Sequence, residues 1–228
     1  MSIIDNYTAI EKEIAAIAAA SGRSPGGIRI VAVSKTFDES VIQEAIDSGI
    51  RVFGENKVQE ARRKIPNLRG DFTFHMVGHL QSNKAREAVQ LFDLIHSIDK
   101  ADTAAAVDRE AGRVGKKQKV LVQVNTSGEE SKSGIEPASA RDLVMRVTDL
   151  KNLELRGFMT MAPFTDDEGV IRQTFRAARG LMEEINGSVG LALAELSMGM
   201  SSDYRIAVEE GATLVRIGTA IFGHRNAE

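Results

Sequence analysis

Three observations predict an α/β chain folded as a single (β/α)8 TIM barrel over residues 1–228, with an extra helix at its N-terminus. Short β-branched and apolar runs alternate with helical segments, eight such runs can be picked out, and the chain has the length that one barrel domain occupies. An open doubly wound sheet explains the same alternation. It is disfavoured because Ser34-Lys35-Thr36 follows the first strand, where such sheets carry Gly-x-Gly-x-x-Gly.

The first element is a helix over 3–20, where Ile3, Ile4, Tyr7, Ile10, Ile14 and Ile17 recur at helical spacing. Asp5, Glu11, Lys12 and Glu13 between them make it amphipathic and unlike a signal peptide. It is placed either to cover the bottom of the barrel or to meet a partner. Strand 28–34 comes next, and helix 38–48 follows it, with Asp38 and Glu39 as helix-start acids and Ser48-Gly49 as the stop. Strand 51–54 hands over to helix 56–64, and Asn67-Leu68-Arg69-Gly70 separates that unit from strand 72–77. Helix 82–90, strand 92–97 and helix 100–114 continue the pattern, with turns at Gly112 and Gly115. Strand 119–125 precedes helix 137–150, and strand 153–159 precedes helix 167–186, which Asn186-Gly187 stops. Strand 193–197, helix 202–210 with Gly211 beyond it, and strand 213–217 complete the set.

Composition removes several classes of function. The net charge is −3 with both signs interspersed, so the sequence carries no electrostatic footprint for nucleic acid. Cysteine is absent, which excludes disulfides, thiolate chemistry and cysteine–zinc sites and suits a reducing compartment. No run approaches the ~18 apolar residues of a membrane span. The expectation is a cytoplasmic protein with no membrane partner.

Candidate chemistry lies at the strand ends, where barrel enzymes place their working residues. Lys35 ends an otherwise apolar strand; an amine there can lose its proton through desolvation and attack a carbonyl. The competing reading is a solvated lysine that simply starts a loop. Ser197-Met198-Gly199-Met200-Ser201 and Arg216-Ile217-Gly218-Thr219 end strands seven and eight, where such barrels often hold phosphate. Glycine lets the backbone approach an anion, while Ser201 and Thr219 offer hydroxyl donors. Otherwise Ser201 or Ser202 is an N-cap and Gly218 a turn residue. Arg216 faces inward towards an acceptor such as a pyridine nitrogen, or outward to Glu209 or Glu210. Asn56 orients a ring hydroxyl or caps the next helix. His75 and His79 lack acidic partners at ligand spacing, so no metal is expected. The 125–134 loop lacks P-loop spacing, with Lys132 as a second amine on the rim. Met159 and Met161 are expected as apolar walls. An amine, a phosphate cradle and an arginine at one mouth fit an aldehyde cofactor with a phosphate tail, which points to pyridoxal phosphate (PLP).

Several segments occur together in one order: Ala32-Val33-Ser34-Lys35-Thr36, Phe53-Gly54-Glu55-Asn56, His75-Met76-Val77-Gly78-His79-Leu80-Gln81-Ser82-Asn83-Lys84, Ser131-Lys132-Ser133-Gly134, Gly157-Phe158-Met159, Leu196-Ser197-Met198-Gly199-Met200-Ser201 and Arg216-Ile217-Gly218-Thr219. Over about 28–223 they resemble the pyridoxal phosphate homeostasis protein family, whose barrel is like the N-terminal domain of alanine racemase. The resemblance implies that Lys35 forms a Schiff base with PLP. It also implies that Ser201, Gly218 and Thr219 hold the phosphate, that Arg216 faces the pyridine nitrogen, that Asn56 lies near the ring, and that Met198 shapes the pocket.

The expected role is a cofactor carrier without dedicated turnover, taking part in vitamin B6 and amino-acid balance. Its partners would be PLP, PLP-dependent apoenzymes and free amino acids, and it would act as a monomer. An acid at the ring nitrogen makes the cofactor an electron sink, and an arginine there works against it. The alternative is a low-activity PLP-dependent amino-acid racemase. In the related racemases the opposing tyrosine comes from an additional C-terminal domain of a partner subunit, which is not expected here. Tyr7 and Tyr204, the two tyrosines, match no such base.

Overall fold

In the computed structural model, which describes residues 2–129 and 132–223, eight parallel strands pair in chain order into a closed barrel. They are β1 (Arg29–Val33), β2 (Val52–Glu55), β3 (Thr73–Met76), β4 (Leu94–Ile98), β5 (Gln118–Gln123), β6 (Leu153–Met159), β7 (Glu195–Ser197) and β8 (Leu214–Ile217). Around them lie α1 (Ile3–Ala20), α2 (Glu39–Asp47), α3 (Val58–Lys64), α4 (Ala85–Leu91), α5 (Ala101–Arg113), α6 (Pro137–Thr148), α7 (Glu168–Val189), α8 (Tyr204–Glu209) and α9 (Thr219–Phe222).

Strands buried on both faces read as nearly continuous apolar runs, and successive side chains still alternate between the two faces. One set, including Val31, Val33, Leu94, Leu121, Met159 and Leu214, fills the barrel interior. The other set packs beneath the helices; in it Phe53 and Phe74 are fully buried, with ring centroids 5.4 Å apart. Closure comes from β8 on β1, which sets Leu214 opposite Arg29 and Arg216 opposite Val31.

The predicted elements are all present, and the differences have local causes. Strand 92–97 begins only at Leu94, because Phe92 still caps α4 through its N–H on the Ala88 carbonyl. Helix 82–90 opens with a 3-10 turn, Ser82–Lys84. The helix predicted to stop at 186 runs on to Val189 and ends at Gly190 in the left-handed region (φ 68°). Asn186 does not break it because its side chain reaches across to both the N–H and the carbonyl of Leu193. Beyond β8, where the sequence reading places no helix, the chain forms the short helix α9. Glu130 and Ser131 lie outside the described residues, so the Ser131-Lys132-Ser133-Gly134 segment is described from Lys132 onward.

Helix α1 starts from a Ser2–Asp5 capping box and buries Ile10, Ile14 and Ala18. It lies in the outer ring beside α8 and α9 and does not cover the barrel bottom. Asn6 Nδ2 donates to the Ile221 carbonyl at 3.0 Å, and Glu13 accepts from Tyr204 Oη and Arg205. No described helix is long and apolar enough to cross a membrane.

The turn from β7 into α8 depends on Gly199, which has φ +89°. A Cβ there would stand 2.5 Å from the Ala207 Cβ and 3.0 Å from the Tyr204 Cα. Gly199→Ala is expected to destabilise the protein by about 2 kcal/mol, through left-handed strain and overpacking together. Urea denaturation measures this, and a variant as stable as the parent would contradict the assigned role of the turn.

Candidate functional site

The strand C-termini open into a cavity of about 500 Å³. Lys35, Asn56, Ser201, Arg216, Gly218 and Thr219 all line it, six of the seven predicted positions. Met198 does not. Ser197 points into the barrel, so Met198 points outward and is fully buried in the core beneath the helices. The left-handed turn at Gly199 then brings Met200 round to the cavity wall, beside the expected Met159 and Met161.

Lys35 follows the buried Ser34 and is exposed at the rim. The chain turns sharply just after it, with Thr36 at φ 72°, a costly conformation for a β-branched residue. The Thr36 N–H donates to Glu60 Oε2 at 3.0 Å. Phe37, next along, packs on Phe222 of α9 with ring centroids 5.1 Å apart. A second, smaller cavity of about 260 Å³ also borders Lys35; it shares Val33, Gly218 and Thr219 with the first and is lined besides by Thr36, Phe37 and Gly223.

Asn56 is not a helix cap; Lys57 holds the N-cap position of α3 without a side-chain bond. The Asn56 backbone is locked by Gly78, where a Cβ would come within 2.2 Å of the Asn56 carbonyl oxygen. Nor does Ser201 cap α8, whose N-cap is Asp203. Instead the Gly218 and Ala220 N–H groups donate to Ser201 Oγ over long distances, 3.3 and 3.5 Å. A hydroxyl and converging backbone donors thus share one corner of the cavity.

Arg216 settles inward: Glu209 and Glu210 pair with Arg172 and Arg176 on α7. The Arg216 guanidinium donates from Nη1 to Ser197 Oγ at 2.7 Å and from Nη2 to the Thr160 carbonyl at 3.0 Å. Burial lowers its pKa to about 10, against the opposing pull of Asp203. A polar chain continues down the interior, with Ser197 Oγ 2.8 Å from His96 Nδ1 and His96 Nε2 3.1 Å from His75 Nδ1. Ser197 already accepts from Arg216, so its own proton is assigned to His96 Nδ1, and His96 Nε2–H then donates to His75. Burial, reinforced by Arg29 and Lys119, lowers His75 to about 3. Burial and the neighbouring His75 and Arg216 hold His96 well below its usual value. Both imidazoles are therefore neutral, and no ion pair neutralises Arg216 among the described residues.

This chain was not anticipated from the sequence, although its signal is there. His75, His96, Ser197 and Arg216 are polar residues set into apolar strands, and only strand register brings them onto one interior line. His79 lines the cavity edge, with Nδ1 3.7 Å from Asp99 Oδ2. Lys132 bonds the Ala162 carbonyl and pairs with Glu129 at 3.0 Å; it lines a neighbouring cavity of about 440 Å³. Phe164 stands fully exposed on the lip shared by the two cavities. Among the described residues, no group of three or more His, Cys, Asp or Glu is placed to hold a metal ion.

A family model described as the alanine racemase N-terminal domain matches residues 6–226. The pyridoxal phosphate homeostasis protein of Escherichia coli K12 is 40% identical over 230 residues, covering 98% of this chain and 97% of its own length. That of Aquifex aeolicus VF5 is 39% identical over 206 residues, covering 90% of each. PipY of Synechococcus elongatus PCC7942, solved with PLP bound, superposes with a TM-score of 0.87 at 38% identity, over 97% of this chain and 100% of its own. An alanine racemase of Clostridium difficile 630 matches at TM-score 0.73 and 15% identity, over 89% of this chain and 53% of its own, and so speaks for the fold alone.

The neutral imidazoles make stability depend on pH. Their folded pKa values lie below the ~6.5 of an unfolded histidine, so as the pH falls the unfolded chain takes up protons that the barrel refuses. Stability present above about pH 6.5 is then lost towards pH 3. From pH 7 to pH 5 the loss is expected to be about 2 kcal/mol for His75. Urea denaturation at both pH values should show a markedly shallower fall for His75→Gln than for the parent; equal falls would refute the assignment.

Proposed function

The chain belongs to the pyridoxal phosphate homeostasis protein family, whose barrel is that of the alanine racemase N-terminal domain, and from that premise we propose that it is a PLP carrier of the cytoplasm. The observation that carries the reading is the convergence of Lys35, Arg216 and the Ser201–Gly218–Thr219 corner on one cavity. A volume of about 500 Å³ suits a small-molecule cofactor. The donor set suits it as well: an exposed amine for an aldehyde, backbone and hydroxyl donors for a phosphate, and a buried guanidinium with no acid paired to it.

When bound, the cofactor supplies an electrophilic aldehyde conjugated to a ring able to draw electrons from an attached amine. Lys35 supplies the amine that holds the aldehyde carbon reversibly. Ser201, Thr219 and the Gly218 N–H hold the phosphate, and Asn56 orients the ring. Arg216 presents a cation to the ring nitrogen, which discourages protonation there and mutes the electron sink that catalysis needs.

Racemisation needs acid–base groups on both faces of the reacting carbon. Neither tyrosine lines the cavity: Tyr204 is buried with its hydroxyl donated to Glu13 and its pKa raised to about 12, and Tyr7 lies on α1. The role that follows is to keep a reactive aldehyde in a reversible linkage. Free amino acids and PLP-dependent apoenzymes, which also present amines, then compete for it. The carrier is proposed to act as a monomer.

The test is an absorbance titration of the parent and Lys35→Ala with PLP, followed by borohydride reduction and peptide mapping. The parent is expected to turn yellow, take up one PLP per chain and carry the reduced label on Lys35, with none trapped in the cavity of Lys35→Ala. A parent that stays colourless would overturn the reading. Exchange of amino-acid α-protons faster than with free PLP would replace the carrier with a racemase-type enzyme.

A further inference from the structure

Behind the Lys35 turn lies a charge cluster that the proposed chemistry does not use. Lys64, the last residue of α3, has a side chain only 1% exposed, and its Nζ lies 3.0 Å from Oε1 of Glu55, which is 0% exposed. Lys64 also donates to the Ser34 carbonyl at 3.3 Å and pairs with Glu60 at 3.3 Å. Ser34 Oγ donates to the same Glu55 oxygen at 3.0 Å. Glu60, the third charge, accepts the Thr36 N–H. Glu55 Oε2 is buried with no hydrogen-bond partner, and burial pushes this carboxyl up against the downward pull of Lys64.

A buried ion pair is poor value as a stabiliser, because desolvating both charges offsets their attraction; apolar residues of the same volume often serve as well or better. What this one does locally is more specific. Ser34 and Thr36 flank Lys35, and both are bonded into the cluster. Glu55 immediately precedes Asn56, so the same cluster fixes a second cavity residue. Thr36 is meanwhile held in a left-handed conformation that a β-branched residue does not adopt unaided. Lys35 borders two cavities, and the direction of its stem as it leaves the backbone decides which of them receives the amine.

We propose that Glu55, Lys64 and Glu60 are positioning residues that clamp the backbone on both sides of Lys35 and aim its amine into the larger cavity. The proposal rests on the PLP-carrier reading, and its own content is the geometry of the clamp. The aim of a reacting group is worth far more than the contact energy of its support, since displacements near 1 Å can cost ~100-fold in reaction.

The experiment uses the full chain as parent, as Glu55→Gln/Lys64→Met, which removes both buried charges at similar volume, and as Glu60→Gln. Each is titrated with PLP and with pyridoxine 5′-phosphate, which has the same ring and phosphate but no aldehyde. Borohydride trapping on Lys35 and an apo-protein melt accompany each titration. The double variant is expected to melt cooperatively and to bind pyridoxine 5′-phosphate as the parent does. Its PLP affinity and its trapping at Lys35 should fall about tenfold. Glu60→Gln, altered at a partly exposed carboxylate, should show the same split at about threefold, and it carries the test if the double variant fails to fold. Unchanged PLP affinity in a folded variant overturns the clamp, as does equal weakening of both ligands, which marks a structural role only. A parent that forms no trapped adduct with PLP defeats the carrier reading itself, and the clamp with it.

Discussion

Because β8 pairs with β1 and sets Arg216 opposite Val31, groups from the two ends of the chain meet on one rim. Strand alternation does the rest. With Val31 and Val33 facing inward, Arg216 faces inward too, beneath the turn that carries Lys35. A slip of one residue between these strands would turn the guanidinium towards the helices and leave the lysine without it. The barrel's closure is thus what makes the cavity chemically composite, and the helical ring serves mainly to hold that closure in register.

Two buried cations in this protein are handled in opposite ways. Lys64 is neutralised in place by Glu55 and Glu60. Arg216 is held by a hydroxyl and a carbonyl, with two neutral imidazoles behind the hydroxyl. A cation whose hydrogen-bond partners are all neutral keeps more of its field, offset by the unbonded Asp203, and in a poorly solvated interior that field reaches into the cavity. The first arrangement fixes backbone geometry. The second keeps charge on offer.

Much of this was legible in the sequence because it depends on order and period. Alternating runs gave the barrel, and the strand-end positions of Lys35, Ser201, Arg216, Gly218 and Thr219 put them at its mouth. That Met198 packs in the core and does not line the cavity is set by strand parity after Ser197 and by the conformation of Gly199, neither of which residue identity reveals. The His75–His96–Ser197 line needs three strand registers at once. Lys64 reads as one more cation in Arg62-Arg63-Lys64 until the fold buries it against Glu55 at the end of β2 and the Ser34 carbonyl just past β1. The helix that outran Asn186-Gly187 did so because the asparagine found partners on Leu193.

The Phe37–Phe222 ring contact ties the lysine turn to α9, and the Asn6 bond to Ile221 fastens that short helix to α1. The amine end and the proposed anion end of the cavity are therefore not independent loops but the two jaws of a caliper with a set gap. If Lys35 and the Ser201–Gly218–Thr219 corner take the roles proposed above, a ligand whose electrophilic carbon and anionic group are separated by another span would satisfy one jaw or the other but not both. On the proposed reading, selectivity among phosphorylated aldehydes would then follow from a length, held by an aromatic contact at the edge of the Lys35 turn.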